Sequence, residues 1–302
     1  MSLAATLKKW SPNPRAGIVL VPALWMTFFF LAPFAIVLVI SFMKSAIAMP
    51  PVAFEYTADG SISLLTTSYA RLFDFDDLLY INAYLGSLKM AGVATICALL
   101  IGYPMAYAIA RAPGAWRHVL LMMVILPSWT SFLIRIYAWI GLLKNNGFIN
   151  NFLIWLGIID TPIQMMQTDF AIYVGIVYAY LPFMILPLYT NLVKHDHTLL
   201  EAASDLGANR WTAFWKITVP LSFNGIVAGS MLVFIPAVGE FVIPEILGGP
   251  DQLMIGKVLW QEFFNNRDWP SASAVAIVML AVLMIPIAIL QKYQNKASEE
   301  NA

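Results

Sequence analysis

The chain has 302 residues, 60% of them hydrophobic and 11% charged, with 17 basic residues balancing 17 acidic ones. A soluble domain carries about 45–50% apolar and about 25% charged residues, so this composition excludes an ordinary soluble enzyme and indicates a polytopic membrane protein. Zero net charge without a Lys/Arg-dense tract argues against nucleic acid as a partner, and the lone Cys97 excludes an internal disulfide.

The first apolar run, about residues 18–43, follows Lys8, Lys9 and Arg15. A cleaved signal core has about 7–15 apolar residues. This run is far longer, so Ala46-Ile47-Ala48 is read as loop rather than cleavage site, and the run as an uncleaved first span. Further runs at about 85–110, 118–143, 170–193, 220–243 and 272–291 complete six predicted transmembrane helices. The fold class is thus all-α and polytopic. Residues 1–80 form an N-terminal segment with the first helix and an outer loop, 81–291 the transmembrane domain, and 292–302 a tail.

Basic residues sort to one side of these spans: Lys8, Lys9 and Arg15, then Arg111 and Arg117, then Lys194, Arg210 and Lys216, then Lys292 and Lys296. Cytoplasmic loops are enriched in Lys and Arg, so both termini are expected in the cytoplasm. The opposite loops carry Glu55, Asp59, Asp74, Asp76, Asp77, Asp160, Asp169, Glu245, Asp251, Glu262 and Asp268. Their acidity follows from positive charge staying inside; it also suits attraction of polycations or contact with a binding protein.

Between the first two spans, Asp59-Gly60 marks a turn and "YARLFDFDDLLYINAYL" an amphipathic stretch. "NNGFINNFLIWLGI" opens on a turn and reads as a short interfacial helix, and Gly248-Gly249-Pro250 precedes another amphipathic helix. Pro104, Pro182, Pro187 and Pro236 fall within spans, where freed carbonyls need partners.

One loop is unusually charged: "HTLLEAASDLGANRWTAFWKITVPL", His197 to Leu221. Thr198 and Glu201 have capping-box spacing, predicting a helix over about 199–206. Gly207 is placed to end it in a left-handed conformation, and Asn209 to cap a second helix over 210–219. The loop is therefore a stiff helix–turn–helix. On local chemistry, Glu201 caps its own helix while Trp211, Phe214 and Trp215 lie on the membrane surface; equally, Ala202 and Ala203 offer a small-residue face to another surface.

The wider spacing resembles the EAA loop of ABC importer permeases, at Glu201, Ala202, Ala203, Gly207, Ile217 and Pro220. "VILPSWTSFLIRIYAWIGLLKNNGFINN", "GSMLVFIPAVGEFVIPEILGGP" and "LWQEFFNNRDWPSASA" resemble the permease subunits of polyamine (putrescine/spermidine) ABC importers, most strongly the putrescine-type first permease, over about residues 80–290. The resemblance implies the type-1 importer permease fold in a bacterial inner membrane. It implies a second permease subunit forming a heterodimer, an ATPase dimer docked on the EAA helix, and a periplasmic polyamine-binding protein, within membrane lipid. ATP would be bound by the ATPase subunit. No cofactor is expected in this chain: a Walker A loop needs GxxxxGK[ST], and "MIGKV" lacks the upstream Gly and the hydroxyl residue.

Two ionisable side chains fall at membrane depth, Arg135 and Glu240. Each costs about 2.5–3.5 kcal/mol at a bilayer centre, so both should face the protein interior or water. They are expected either to pair with each other or, with Trp129 and Tyr137, to line a cation pathway. His118, His195 and His197 lie at the cytoplasmic edge, in a pattern that suits solvated side chains better than a metal site. A stand-alone secondary transporter would leave the structured loop unexplained, and an intramembrane enzyme would need a nucleophile–base or metal constellation that the sequence lacks. An importer of another solute remains the nearer alternative.

Overall fold

The computed structural model describes residues 14–196 and 198–299. Lys8, Lys9 and His197 lie outside them, as do the side chains of Arg15 and Lys296. Among the described residues four helices are long and apolar enough to cross a membrane: Ile18–Ile40, Leu79–Arg111, Asp169–Leu192 and Trp269–Ala288. The number rises to six if each of two bent helix pairs is one span.

The chain divides into two compact units. The smaller takes in residues up to Leu72 together with Glu262–Val278. It starts with α1 (Pro14–Met26), which passes through a π turn into α2 (Ala32–Ile40). No residue between Ile18 and Ile40 is buried. Two small hairpins follow: β1 (Lys44–Ser45) pairs with β2 (Val52–Ala53), and β3 (Glu55–Tyr56) with β4 (Ile62–Ser63), both antiparallel. Gly60, at φ 77°, makes the predicted Asp59-Gly60 turn. Helix α3 (Thr67–Leu72) carries Arg71, whose guanidinium lies 3.4 Å from Asp268 and 3.9 Å from Glu262.

The larger unit holds the packed core. It comprises α4 (Leu79–Arg111), α5 (Gly114–Ile125), α6 (Phe132–Leu143), α7 (Phe148–Trp155), α8 (Asp169–Leu192), α9 (Thr198–Asp205), α10 (Arg210–Ala213), α11 (Val219–Leu221), α12 (Phe223–Val238), α13 (Val242–Leu247) and α14 (Ile255–Trp260). The last helix, α15 (Trp269–Glu299), contributes its residues from Met279 onward. The short helix α7 falls where the Asn-Asn-Gly turn predicts it.

Lipid tails are as apolar as leucine, so helices in a membrane are held by close packing and hydrogen bonds rather than by the hydrophobic effect. The buried face of α4 shows this. Ala83, Ser87, Ala91, Ala94, Ala98, Gly102 and Ala106 recur every three or four residues, and all are buried. Gly225, Gly229, Val233 and Ala237 form a matching row on α12. Fully buried Met184 of α8 fits between them. A Cβ on Gly102 would come within 2.9 Å of the Met184 side chain, and one on Gly229 within 2.8 Å of its sulfur and 3.0 Å of its carbonyl oxygen.

Two predicted spans need correction. The run 118–143 is not one helix: Gly114–Trp129 and Phe132–Trp155 meet at 91°. Leu126–Trp129 tightens into a 3₁₀ turn around Pro127, Thr130 is extended, and its hydroxyl donates to the Pro127 carbonyl at 2.8 Å. The run 220–243 is likewise interrupted. Arg210–Leu221 meets Phe223–Val238 at 64° about Ser222, and the helix stops at Val238 rather than 243.

Gly229→Ala should overpack the Met184 contact and destabilise by about 1–3 kcal/mol. Gly141→Ala, whose new methyl would meet nothing within 4 Å, should be neutral or slightly stabilising. Thermal unfolding in detergent measures both, and an unchanged midpoint for Gly229→Ala would refute the close approach.

Candidate functional site

Two places concentrate polar chemistry: the loop between α8 and α12, and the unwound segment Gly239–Phe241.

In the loop, helix α9 starts at Thr198, whose amide donates to Asp196 Oδ1 at 3.0 Å. Thr198 is thus the first helical residue rather than the cap, and the expected Thr198–Glu201 capping box does not form. The reason is local: Asp196 offers a carboxylate two residues upstream, and this aspartate turn satisfies the amide first. Glu201 is left exposed, and among the described residues its side chain forms no ion pair or hydrogen bond. The C-terminal end forms as expected. Gly207 takes φ 83°, its N–H donates to Ser204, and the Ala208 N–H reaches back to Ala203, both at 2.9 Å. That pair of bonds is a Schellman motif. Asn209 Oδ1 accepts from the Thr212 amide at 2.7 Å, as its position predicts.

Of the small residues, Ala202 is exposed but Ala203 packs inward, because neighbours on a helix point about 100° apart. The following segment lies against α4. The Phe214 ring meets Tyr103 and Tyr107 edge-on at 5.7 Å each, while Trp211 and Trp215 are exposed. His195 Nε2 lies 3.1 Å from Asn191 Oδ1. Its pKa is lowered by burial and by the nearby Arg111 charge, partly opposed by a bond to the Leu221 carbonyl.

Glu240 sits outside any helix and is 7% exposed. Its Oε1 accepts from the Val242 amide at 2.9 Å and the Ile243 amide at 3.4 Å, capping α13. Its Oε2 accepts from the Tyr180 hydroxyl at 2.5 Å. Helix α14 approaches the same turn so closely that a Cβ on Gly256 would lie 2.3 Å from the Gly239 carbonyl oxygen. Arg135 is elsewhere: it lines a cavity of about 150 Å³ with Met105, Pro127, Tyr178 and Pro182. No ion pair joins Arg135 to Glu240, and the Arg135 Nε is buried without a partner. Tyr178 and Tyr180 are two residues apart on α8, about 200° around it, so the two charges address different faces. Trp129 and Tyr137 are exposed, and no hydrogen bond, ion pair or ring contact joins either to Glu240.

Sequence reading missed Tyr180, whose link to Glu240 spans 60 residues. It missed Asn150 too, fully buried and bonded to the Lys144 carbonyl and to both backbone groups of Ile163. The cap at Glu240 did have a signal: Pro244, three residues into "VIPEIL", suits the first turn of a helix and argues for a start just after Glu240.

Residues 98–299 match the family described as the inner membrane component of binding-protein-dependent transport systems. The spermidine/putrescine transport system permease protein PotB of Salmonella typhimurium is 46% identical over 222 residues, covering 74% of this chain and 76% of that one. Its Haemophilus influenzae counterpart is 40% identical over 282 residues, covering 91% and 93%. Among solved structures, a bacterial ABC transporter that imports alginate superposes with TM-score 0.66 at 16% identity, over 91% of this chain and 94% of that one. The MetNI methionine transporter gives 0.53 at 16% identity, over 71% and 94%.

Tyr180→Phe removes one donor from a buried carboxylate and should destabilise by about 1–3 kcal/mol, read as a lower unfolding midpoint; no change would remove Tyr180 from the site. For His195 the lowered native pKa sets the sign. The unfolded chain, near 6.5, binds more proton as pH falls, so the contribution is complete above about pH 6.5 and is lost as pH drops toward the native value. Between pH 7.5 and 5.5 the parent should lose more thermal stability than His195→Asn, and parallel losses would show that His195 does not carry the effect.

Proposed function

The chain belongs to the inner-membrane components of binding-protein-dependent transport systems, and from that membership we propose that it takes spermidine or putrescine from periplasm to cytoplasm. It is a transport subunit rather than an enzyme. A separate ATPase supplies the energy, and a second permease subunit and a periplasmic binding protein complete the importer. Both termini then lie in the cytoplasm, with the Lys- and Arg-bearing loops. The observation that carries the substrate is the likeness to spermidine/putrescine permeases, which at 40% identity extends over 91% of the chain.

The exposed part of α9 suits docking on the ATPase. Glu201, Ala202 and Gly207 face outward, while Ala203 holds the helix to its own chain. The Schellman end and the Asn209 cap make the loop stiff, which a lever needs. Glu240 is the carboxylate for the cation. Held on one side by two amides, it binds a polyamine ammonium when Tyr180 gives way. The exposed faces of Trp129 and Tyr137 add cation–π attraction of about 0.5–2 kcal/mol, and the half-buried Arg135 keeps a positive charge in the wall beside Pro127.

Gentle-detergent purification of the tagged chain from its host should bring down an ATPase and a second permease in fixed ratio; a clean homo-oligomer would overturn the proposal. In vesicles of the assembled complex, Glu201→Ala should leave basal ATP hydrolysis while uptake of labelled putrescine falls. Glu240→Gln should lower uptake about tenfold, as expected for losing one charge-assisted contact, with assembly intact. Unchanged uptake would take Glu240 out of the pathway.

A further inference from the structure

Two cavities lie beside the C-terminal half of α4 and share Phe214 in their walls. The first, about 380 Å³, presents the guanidinium groups of Arg111 and Arg210 and the hydroxyl residues Ser204 and Thr218. Among the described residues no carboxylate lines it. Among the described residues neither arginine forms an ion pair, and Arg111 lies over the Tyr107 ring at 4.8 Å. The second cavity, about 370 Å³, has walls of Leu99, Leu100, Pro104, Trp211, Trp215 and Ile226. Its lining is almost wholly apolar.

Their order along α4 matters. Arg111 ends the helix, and Leu99 lies twelve residues back, about 18 Å at 1.5 Å per residue. The charged cavity thus sits at the end of a span, and the greasy one runs back along its apolar length. Exposed Trp211 and Trp215 line the second cavity, on either side of the shared Phe214 in sequence, and such rings favour the headgroup level of a bilayer.

We propose that the paired cavities hold one anionic phospholipid of the phosphatidylglycerol type. Its phosphate lies between Arg111 and Arg210, and an acyl chain follows the Leu99–Leu100–Ile226 wall. A soluble anion, or an acidic side chain of a partner subunit, fills the first cavity and leaves the second empty. A neutral lipid fills the second and leaves two guanidiniums without a counter-charge. Only a ligand with a phosphate at one end and hydrocarbon at the other satisfies both. Arginine suits the phosphate, because its planar fork matches two oxygens at once. Since Ser204 belongs to α9 and Arg210 begins the next helix, the bound lipid braces the loop against α4. That last consequence rests on α9 being the ATPase-coupling element; the lipid site itself does not depend on it.

Native mass spectrometry of the full-length chain, with any subunits that accompany it, counts retained lipid after titration with phosphatidylglycerol or phosphatidylcholine. One phosphatidylglycerol per chain should be retained, favoured over phosphatidylcholine by about tenfold or more, as two basic residues at a lipid headgroup imply. Arg111→Gln with Arg210→Gln should abolish the preference, and lysine at both positions should keep most of it. Trp211→Ala should weaken both lipids alike. If the double Gln variant aggregates, Arg210→Gln alone, at an exposed position, must still lower the preference about fivefold. Equal retention of the two lipids by the parent, or a preference that survives the Gln variants, would overturn the proposal. So would full displacement by glycerol 3-phosphate, which would leave a phosphate site with no role for the hydrocarbon wall. Loss of the lipid when an ATPase subunit is bound would assign the cavity to that partner instead. Uptake and co-purification decide the transport reading separately, so the two fail independently.

Discussion

A backbone that breaks inside a bilayer must recover its hydrogen bonds from its own chain, because hydrocarbon offers none. The larger unit breaks three times within apolar sequence, and each break is mended by a nearby polar side chain. At Thr130 the side-chain hydroxyl bonds to the Pro127 carbonyl. At Ser222 the hydroxyl donates to the Val219 carbonyl and lies 2.8 Å from the Tyr103 hydroxyl. At Glu240 a carboxylate takes two amides and a tyrosine hydroxyl. The most expensive repair group, a buried carboxylate, also ties the turn to α8 through Tyr180.

Mending the backbone permits the breaks; close packing fixes where the pieces go. Rows of Ala, Ser and Gly on α4 and α12 bring both backbones near α8, and Met184 locks between two glycines. Interlocked helices of this kind have discrete arrangements rather than a continuum, since a side chain fitted between backbones cannot slide by fractions of an ångström without losing contact. The breaks lie near the ends of these packed stretches. α4, α8 and α12 therefore move together, and bending is left to the segments at Thr130 and Glu240.

What was legible in the sequence follows the range of the interaction. The Gly207 terminator, the Asn209 cap and the short helix after Asn145-Asn146-Gly147 depend on neighbours within a few residues, and all three formed as read. The four unbroken spans were legible for the same reason, since length and hydropathy are local sums. The breaks were not, because hydropathy averages over windows longer than a turn: Ser128, Thr130 and Ser131 in one run and Glu240 in the other are outweighed by the apolar residues on either side. Thr198 was misread by the opposite error. Its spacing to Glu201 was right, but Asp196 competes for the same amide and is closer to it. Tyr180 on Glu240 and the separation of Arg135 from Glu240 are tertiary facts, set by which face of α8 each residue meets.

The mended break at Ser222 has a mechanical meaning. A push on α9 reaches α12 along the chain through Arg210–Leu221, which lies at 64° to α12. A free hinge at that angle would absorb the push. Here the corner is tied: Tyr103 of α4 holds Ser222, and Phe214 fits edge-on against Tyr103 and Tyr107. The corner is thereby joined to α4 by side chains and to α12 along the chain, and both pack against α8 at Met184. Displacement of α9 must then either break these contacts together or carry α4, α8 and α12 with it, and the second requires no loss of packing. A short, capped loop on a tied corner can pass on a displacement, which the same residues on a flexible tether could not.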